Sequence, residues 1–384
     1  MFSLFSKKNK KENSIRSVWN IDSQAVSVMF IDEQKTVIFY RSYYHNFSVH
    51  DKRYIALQLQ ESVITNIQKI ITDIQNRNIP LPEYADIVLG EPWSHGITRK
   101  IHQTRKTSFI VSKQFIKDLI TRDVQTIDRN RYSYDSTAHT DFSRPHIHSV
   151  SFAGHVVNSW LNKKTSDIRV EYSLGFFDKK ITQMIMQKIH EKLRIKMLDI
   201  RFHNYQIVHY SYWEKTVSIP SLIVYPSGLL TSIFWVEKKN LKAFGTIPVG
   251  TQVFYDHIKQ QLRISEQEIN TLIDLGSQKK IHDTVIKKMQ HSFQEVYEDW
   301  ELAFQKFCSQ LVNDGMTIEQ VIWMGGGVQQ MSQLIMDSLR KDSASFPVVF
   351  GSQRVNIVQG SPLFISSTAM RDTDRIILHW LHNS

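Results

Sequence analysis

The chain has 384 residues, 41% of them hydrophobic, and a formal net charge of +10 at pH 7. This length and apolar content suffice to bury a core and favour two or three domains. No stretch reaches the roughly 20 consecutive apolar residues that cross a bilayer, and no apolar signal segment follows the start, so we place the chain in the cytoplasm.

The positive charge favours an anionic partner, but it is dispersed along the chain. Because no helix-turn-helix, RNP or zinc-finger pattern is present, we expect no nucleic-acid binding. Residues 1–14 form a basic tail in which Phe2, Leu4 and Phe5 accompany four lysines. Such a tail either rests on anionic lipid or stays solvated, and the sequence leaves both possibilities open.

The first half begins with a predicted three-stranded meander. Residues 15–21, 25–31 and 36–43 have strand-like composition and are separated by short polar breaks. Apolar residues over 57–74 recur at three- and four-residue steps, which predicts an amphipathic helix of roughly five turns. A further strand is predicted over 85–89.

The pattern changes over residues 86–176, which predicts an inserted small α+β subdomain. Short strands are expected over 98–104 and 150–157, together with a helix over 112–121. The polar stretch 129–144 predicts a long loop.

The second half repeats the order of predicted strands and helices of the first half. A helix is predicted over 178–193 and a strand over 197–203. Further strands are predicted over 222–225, 231–236, 241–249 and 321–324. Further helices are predicted over 251–262, 279–312 and 331–340. Cys308 lies on the apolar face of the long helix, and a single thiol forms no intrachain disulfide, so we expect it in the core. The last strand runs into Gly325, Gly326 and Gly327, and a strand, glycine turn and helix in that order suit phosphate contact.

Five segments together resemble a known superfamily. They are residues 20–27 (NIDSQAVS), 225–232 (YPSGLLTS), 247–250 (IPVG), 324–327 (MGGG) and 355–362 (VNIVQGSP). Their order is similar to the two phosphate hairpins, the following helix start, the adenosine turn and the closing strand of actin-like ATPases. A small subdomain inserted at this place in the first half is typical of FtsA and PilM and not of actin. The chain therefore resembles the FtsA/PilM branch of the actin/Hsp70 superfamily.

The resemblance implies an α/β fold made of two duplicated actin-like (ribonuclease H-like) domains, with the inserted α+β subdomain in the first. We expect the first domain over 15–210, the second over 211–375, and a C-terminal segment over 376–384. That segment either reaches a membrane or packs on the body, and its apolar residues are Ile376, Ile377, Trp380 and Leu381.

The resemblance also implies a cleft for ATP or ADP with Mg²⁺. In this fold the backbone N–H groups of two hairpins hold the phosphates, and nearby carboxylates hold the metal through water. The nucleotide-binding residues predicted by matched position are Asn20, Asp22, Ser23, Gln24, Gly228, Thr231, Gly250, Gly325, Gly326 and Gly327.

Several departures from the family pattern weaken that chemistry. Asn20 stands where the family has its first carboxylate, Asp22 replaces a glycine, and Ser27 replaces a lysine. Tyr225 and Ser232 stand where the second hairpin has carboxylates. We therefore predict a degenerate cleft with no catalytic residue. Its glycine turn either contacts a nucleotide that is not hydrolysed or only closes a strand-to-helix corner. A shift of register would make Asp22 the metal-linked acid, so an active ATPase remains an alternative.

Histidines give the one further candidate for a site. His146 and His148 alternate along a predicted strand, with His139 and His155 nearby, a spacing that suits zinc. No Cys or carboxylate pattern completes such a site, so we predict no metal. Ser, His and Asp also lack the spacing of a hydrolase triad.

The leading hypothesis is a PilM-like cytoplasmic adaptor of a type IV pilus or related envelope machine, at the inner face of the cell membrane. The resemblance implies that it binds a short cytoplasmic peptide of a membrane partner between the inserted subdomain and the main body. One alternative is an FtsA-like division protein, which self-associates and recruits a tubulin-like filament. The other is the active ATPase.

Overall fold

The computed structural model describes residues 14–45, 55–127, 140–237, 240–265, 268–269, 271–272, 282–313, 318–323, 356–359, 370 and 372–383. Within these ranges, fifteen strands form three five-stranded sheets. Several sequence predictions lie outside the described residues: the tail over 1–13, most of the polar loop, the three glycines after residue 324, and the helix over 331–340.

The first sheet belongs to the first domain and has the order β10-β4-β1-β2-β3. Its strands are β1 (Arg16–Ile21), β2 (Ala25–Ile31), β3 (Val37–Tyr44), β4 (Tyr84–Leu89) and β10 (Ile200–Asn204). The first three are antiparallel, and β4 and β10 run parallel to β1. The predicted meander is therefore confirmed.

Two helices cover one face of this sheet, α1 (Ile55–Asn76) and α3 (Lys179–Leu193). The predicted apolar stripe of α1 is buried, including Leu59, Val63 and Ile67. Burial of such a stripe is the main stabilisation of a surface helix.

The second domain repeats this topology, with the order β13-β12-β11-β14-β15. Its strands are β11 (Ser221–Pro226), β12 (Thr231–Glu237), β13 (Asn240–Ile247), β14 (Gln320–Trp323) and β15 (Asn356–Gln359). Helices α5 (Thr251–Leu262) and α6 (Asp283–Asn313) pack on it. Two sheets of identical strand order are the duplicated architecture that the sequence predicts.

Cys308 is fully buried among the aromatic residues of α6, as expected for a core residue. Burial raises the pKa of its thiol well above the usual range, because the thiolate is poorly solvated there.

The inserted subdomain forms the third sheet, in which β9 lies between β5 and β7. Its elements are β5 (Ser94–Ile110), α2 (Lys113–Gln125), β6 (Thr140–Phe142), β7 (His146–Phe152), β8 (His155–Val156) and β9 (Lys164–Asp178).

The prediction of short strands is wrong here, since β5 and β9 have 17 and 15 residues. Polar residues over 105–108 hide the end of β5, and β9 was not predicted as a strand. The ladder between the two strands supplies backbone hydrogen bonds whatever the side chains are. The strand predicted over 150–157 is divided by a turn at Ala153 and Gly154, both of which have positive φ.

Two helices lie between the two main sheets, α4 (Tyr205–Thr216) and α7 (Asp372–Asn383). Helix α4 was not predicted, because it contacts apolar surroundings on several sides and so lacks a single apolar stripe. It spans the predicted boundary between residues 210 and 211. In α7, Ile376 and Ile377 are buried, so this segment packs on the body. No helix in the described ranges has the length and hydropathy to cross a bilayer.

His209 of α4 is fully buried in an aromatic box. Its ring stacks on Tyr205 at a centroid distance of 3.9 Å and lies parallel to Phe234 at 6.2 Å. Neither ring nitrogen has a hydrogen-bond partner among the described residues. Burial lowers the pKa of His209 to about 3, because the imidazolium would lose its solvation.

We expect His209→Phe to reduce the loss of stability in acid. The native ring stays neutral while the unfolded ring protonates below its usual pKa of 6.5, so stability present above that pH is lost as the pH falls towards 3. At about pH 5, protonation of the unfolded ring lowers the free energy of unfolding by about 2 kcal/mol. Urea unfolding at about pH 7.5 and about pH 5 measures it.

His148, whose pKa burial also lowers to about 3, keeps its own share of the acid sensitivity in this variant. An equal pH dependence in wild type and His209→Phe would show that His209 is not buried as a neutral ring.

Candidate functional site

The hairpins β1–β2 and β11–β12 correspond to the two phosphate hairpins of the resemblance, and their tips touch each other. The hydroxyl oxygens of Ser23, between β1 and β2, and Ser227, between β11 and β12, are 3.1 Å apart. The backbone N–H of Leu229 donates to Ser23 Oγ at 3.0 Å. A Cβ atom on Gly228 would lie 2.2 Å from the carbonyl oxygen of Ser23, so the two backbones meet where only glycine fits. The two hairpin tips, between which the resemblance places the phosphates, are therefore in direct contact.

The first hairpin satisfies its own anion-binding donors. The Asp22 carboxylate accepts hydrogen bonds from the backbone N–H groups of Gln24 and Ala25, at 2.8 and 2.9 Å. Consecutive N–H groups of this kind are what a phosphate would use. His45 holds the same turn, because its backbone N–H donates to the Gln24 carbonyl at 2.9 Å and its Nε2 lies 3.0 Å from the Asp22 carbonyl.

The start of α5 is also satisfied internally. Helix N-termini attract anions through their first unpaired N–H groups. Here the N–H groups of Thr251 and Gln252 donate to the carbonyl oxygens of Ser227 and Gly228, at 2.8 and 2.7 Å. Gly250 is the N-cap residue of this helix. The second hairpin therefore occupies the helix end that the family pattern offers to a nucleotide.

Thr231 has a structural set of contacts. Its Oγ1 donates to the Val249 carbonyl at 2.6 Å and accepts from Trp300 Nε1 at 3.1 Å. The proton and an oxygen lone pair of the Thr231 hydroxyl are thus both engaged within the second domain.

Asn20 and Ser27 lie beside a carboxylate from the other end of the chain. Asn20 Nδ2 and Ser27 Oγ both donate to Asp374 Oδ1 at 2.7 Å, and the Tyr40 hydroxyl donates to Oδ2 at 2.8 Å. Asp374 belongs to α7 and is fully buried. The two positions that would hold the family's carboxylate and lysine thus fix α7 to the first sheet.

Sequence reasoning missed Glu91, a buried carboxylate two residues after the end of β4. It accepts from Gln206 Nε2 at 2.8 Å, from Ser232 Oγ at 3.1 Å and from Thr246 Oγ1 at 2.7 Å. Glu91 therefore links the first domain to β12 and β13 of the second. The position of Glu91 after a parallel strand could have identified it, because the ends of such strands line the clefts of α/β sheets.

The histidine pair is part of a domain contact. His146 and His148 pack against Tyr210 of α4, with ring centroids 5.7 and 4.7 Å away, and His148 Nε2 is 2.5 Å from Ser173 Oγ. Burial lowers the pKa of both imidazoles. His155 is exposed on β8, and His139 lies outside the described residues. Among the described residues, no group of three His, Cys, Asp or Glu is placed to hold a metal.

In this arrangement the hairpins do not fit a nucleoside triphosphate with Mg²⁺. Within the matched segments 20–27 and 225–232, Asp22 is the one carboxylate, and its side chain binds its own turn. The predicted nucleotide contacts of the hairpins and Gly250 stay a prediction that requires the tips to separate. Those of Gly325, Gly326 and Gly327 lie outside the described residues.

Comparison with known proteins supports the fold and not a closer relationship. No family model and no curated protein sequence matches the chain. The duplicated sheets, together with the likeness to one solved structure with a TM-score above 0.5, show an actin-like fold.

One similar solved structure is a PilM–PilN type IV pilus biogenesis complex. Its TM-score is 0.57 at 10% identity, over 96% of this chain and 98% of that one. A Bacteroides thetaiotaomicron protein with an actin-like ATPase fold and unknown function has a TM-score of 0.42 at 9% identity, over 96% and 97% of the two chains. The ethanolamine utilization protein EutJ of Carboxydothermus hydrogenoformans scores 0.41 at 9% identity, over 90% and 85%. At such identities the likeness concerns the fold alone.

Proposed function

We propose that this chain is a PilM-like scaffold that holds a protein partner and does not hydrolyse nucleotide. The observation that supports it is the contact between Ser23 and Ser227, with the hairpin donors already bound inside the protein. An ATPase needs these donors for the phosphates and a carboxylate for the metal. A scaffold needs only the rigid two-domain body.

The likeness to the PilM–PilN complex supports the choice of partner. We propose a short cytoplasmic peptide of a pilus or related envelope component, held between the inserted subdomain and the main body at the inner face of the membrane.

Two measurements test the proposal. Purified protein is expected to release no phosphate from Mg-ATP above the protein-free rate, and Asp22→Ala is expected to behave in the same way. Turnover that Asp22→Ala abolishes would contradict the scaffold and establish the ATPase.

Partner binding tests the assignment to a pilus or related machine. Peptides from the cytoplasmic ends of inner-membrane pilus components should bind the purified chain, whereas a tubulin-like division filament should not. Binding of the filament and of no such peptide would replace the PilM-like role with an FtsA-like one.

A further inference from the structure

The far end of the inserted subdomain, which we call the distal tip, consists of residues 105–113 and 160–164. Backbone hydrogen bonds join the two segments, from the Val111 N–H to the Lys163 carbonyl at 2.9 Å and from the Asn162 N–H to the Val111 carbonyl at 2.8 Å. The pair of Ile110 and Lys164 ends the ladder between β5 and β9. The other end of that ladder, Ser94 and Phe177, adjoins the main body.

The distal tip is basic and contains no Asp or Glu. Its exposed cationic residues are Arg105, Lys106, Lys113, Lys163 and Lys164. Arg105 lies over the rings of Phe109 and Phe115, at 4.7 and 5.4 Å from their centroids. No ion pair of the four lysines occurs with any described residue. Their charges are therefore exposed to solvent and are not neutralised by an ion pair with a described residue.

Aliphatic side chains are exposed among these lysines. Ile110 is 55% exposed and Leu161 is 42% exposed, and the neighbouring Trp160 is half-buried. An apolar side chain at the protruding end of a subdomain loses hydration only when another surface covers it.

We propose that the distal tip is a docking surface for an anionic lipid bilayer. Lysines attract acidic headgroups, aliphatic side chains insert at the headgroup boundary, and an indole suits the same depth. Single-stranded nucleic acid would instead require exposed aromatic faces for base stacking, and the exposed side chains here are aliphatic.

The contacts that attach the subdomain to the main body determine how the protein would be oriented on the bilayer. Lys242 of β13 forms an ion pair with Glu171 of β9 at 3.2 Å, and its carbonyl accepts from Thr98 Oγ1 at 3.3 Å. These contacts fix the subdomain to the second domain, and Phe177 at the end of β9 packs in the core of the first domain. With about 3.3 Å per strand residue, the run of β9 from Phe177 to Lys164 places the tip roughly 40 Å from the main body.

Sedimentation of the full chain with vesicles tests the proposal. Vesicles contain phosphatidylglycerol and phosphatidylcholine in equal parts, or phosphatidylcholine alone. We expect binding to the anionic vesicles only. Lys163→Gln/Lys164→Gln should lower the partition coefficient about 25-fold, since each lysine near the surface contributes roughly fivefold.

Lys192→Gln/Lys196→Gln is the matched control, because it removes the same charge from exposed positions at the end of α3 and beyond it. It should bind within about twofold of wild type. Leu161→Ser keeps the charge and should weaken binding severalfold, because it removes apolar area from the contact.

Equal losses in the control and the tip variant would overturn the proposal, since dispersed charge would then explain the binding. Full binding by Leu161→Ser would also contradict it. A short DNA duplex that binds through the same lysines while anionic vesicles do not would identify a nucleic-acid surface instead. Circular dichroism confirms that each variant is folded.

Discussion

Replacing Gly228 with alanine is expected to lower the free energy of unfolding by about 2–3 kcal/mol. The new Cβ would lie 2.2 Å from the Ser23 carbonyl oxygen, 2.6 Å from its carbon and 2.9 Å from the Gln24 nitrogen. All three are backbone atoms of the facing hairpin, so the tips must separate to admit the methyl group. Urea unfolding measures the loss.

Gly154→Asn is the matched control for this substitution. Nothing lies within 4 Å of a Cβ at Gly154, and its φ of +86° falls in the region that Asn tolerates. We expect a loss below about 1 kcal/mol there. Equal losses at the two glycines would mean that the hairpin tips are not packed against each other.

Asp374→Ala is expected to cost at least about 3 kcal/mol, because it leaves three donors in a buried site without their acceptor. These donors are Asn20 Nδ2, Ser27 Oγ and the Tyr40 hydroxyl, each within 2.8 Å. The same variant should speed amide hydrogen exchange in α7, since Asp374 fixes this helix to the first sheet.

Asp374→Asn is the control with nearly the same shape. It keeps one acceptor oxygen, so its loss of stability should be clearly smaller than that of Asp374→Ala. A stability of Asp374→Ala equal to wild type, with unchanged exchange in α7, would show that the cluster does not fix the helix.

Local pattern was enough to predict the sheets of both domains and the main helix of the first. Short, mostly apolar runs between polar breaks mark β1 and β2, and the three- and four-residue steps of α1 follow from burial of one face. Helix α4 was not predicted, because a helix buried between two sheets lacks the polar face by which an amphipathic helix is recognised in a sequence.

The contact between the hairpin tips could be predicted only in part. The departures at Asn20, Asp22 and Ser27 indicated a weakened phosphate site. What replaces the phosphate contacts is tertiary: Ser23 and Ser227 are 204 residues apart in sequence, and Asn20 and Asp374 are 354 apart. No local rule links such positions, because their contact depends on how the two domains pack.

Cysteine trapping of the hairpin tips tests the closed cleft most directly. Ser23 and Ser227, whose Oγ atoms are 3.1 Å apart, are replaced together by cysteine, and each is also replaced alone as a control. The native Cys308 is buried with a raised thiol pKa and should stay inert under mild oxidation.

Mass spectrometry and gel mobility then follow formation of the intrachain disulfide with and without millimolar Mg-ATP. The closed, scaffold-type cleft predicts rapid trapping in the double variant at the same rate under both conditions. Protection of the thiols by Mg-ATP would contradict it, because nucleotide would then separate the tips and occupy the space between them.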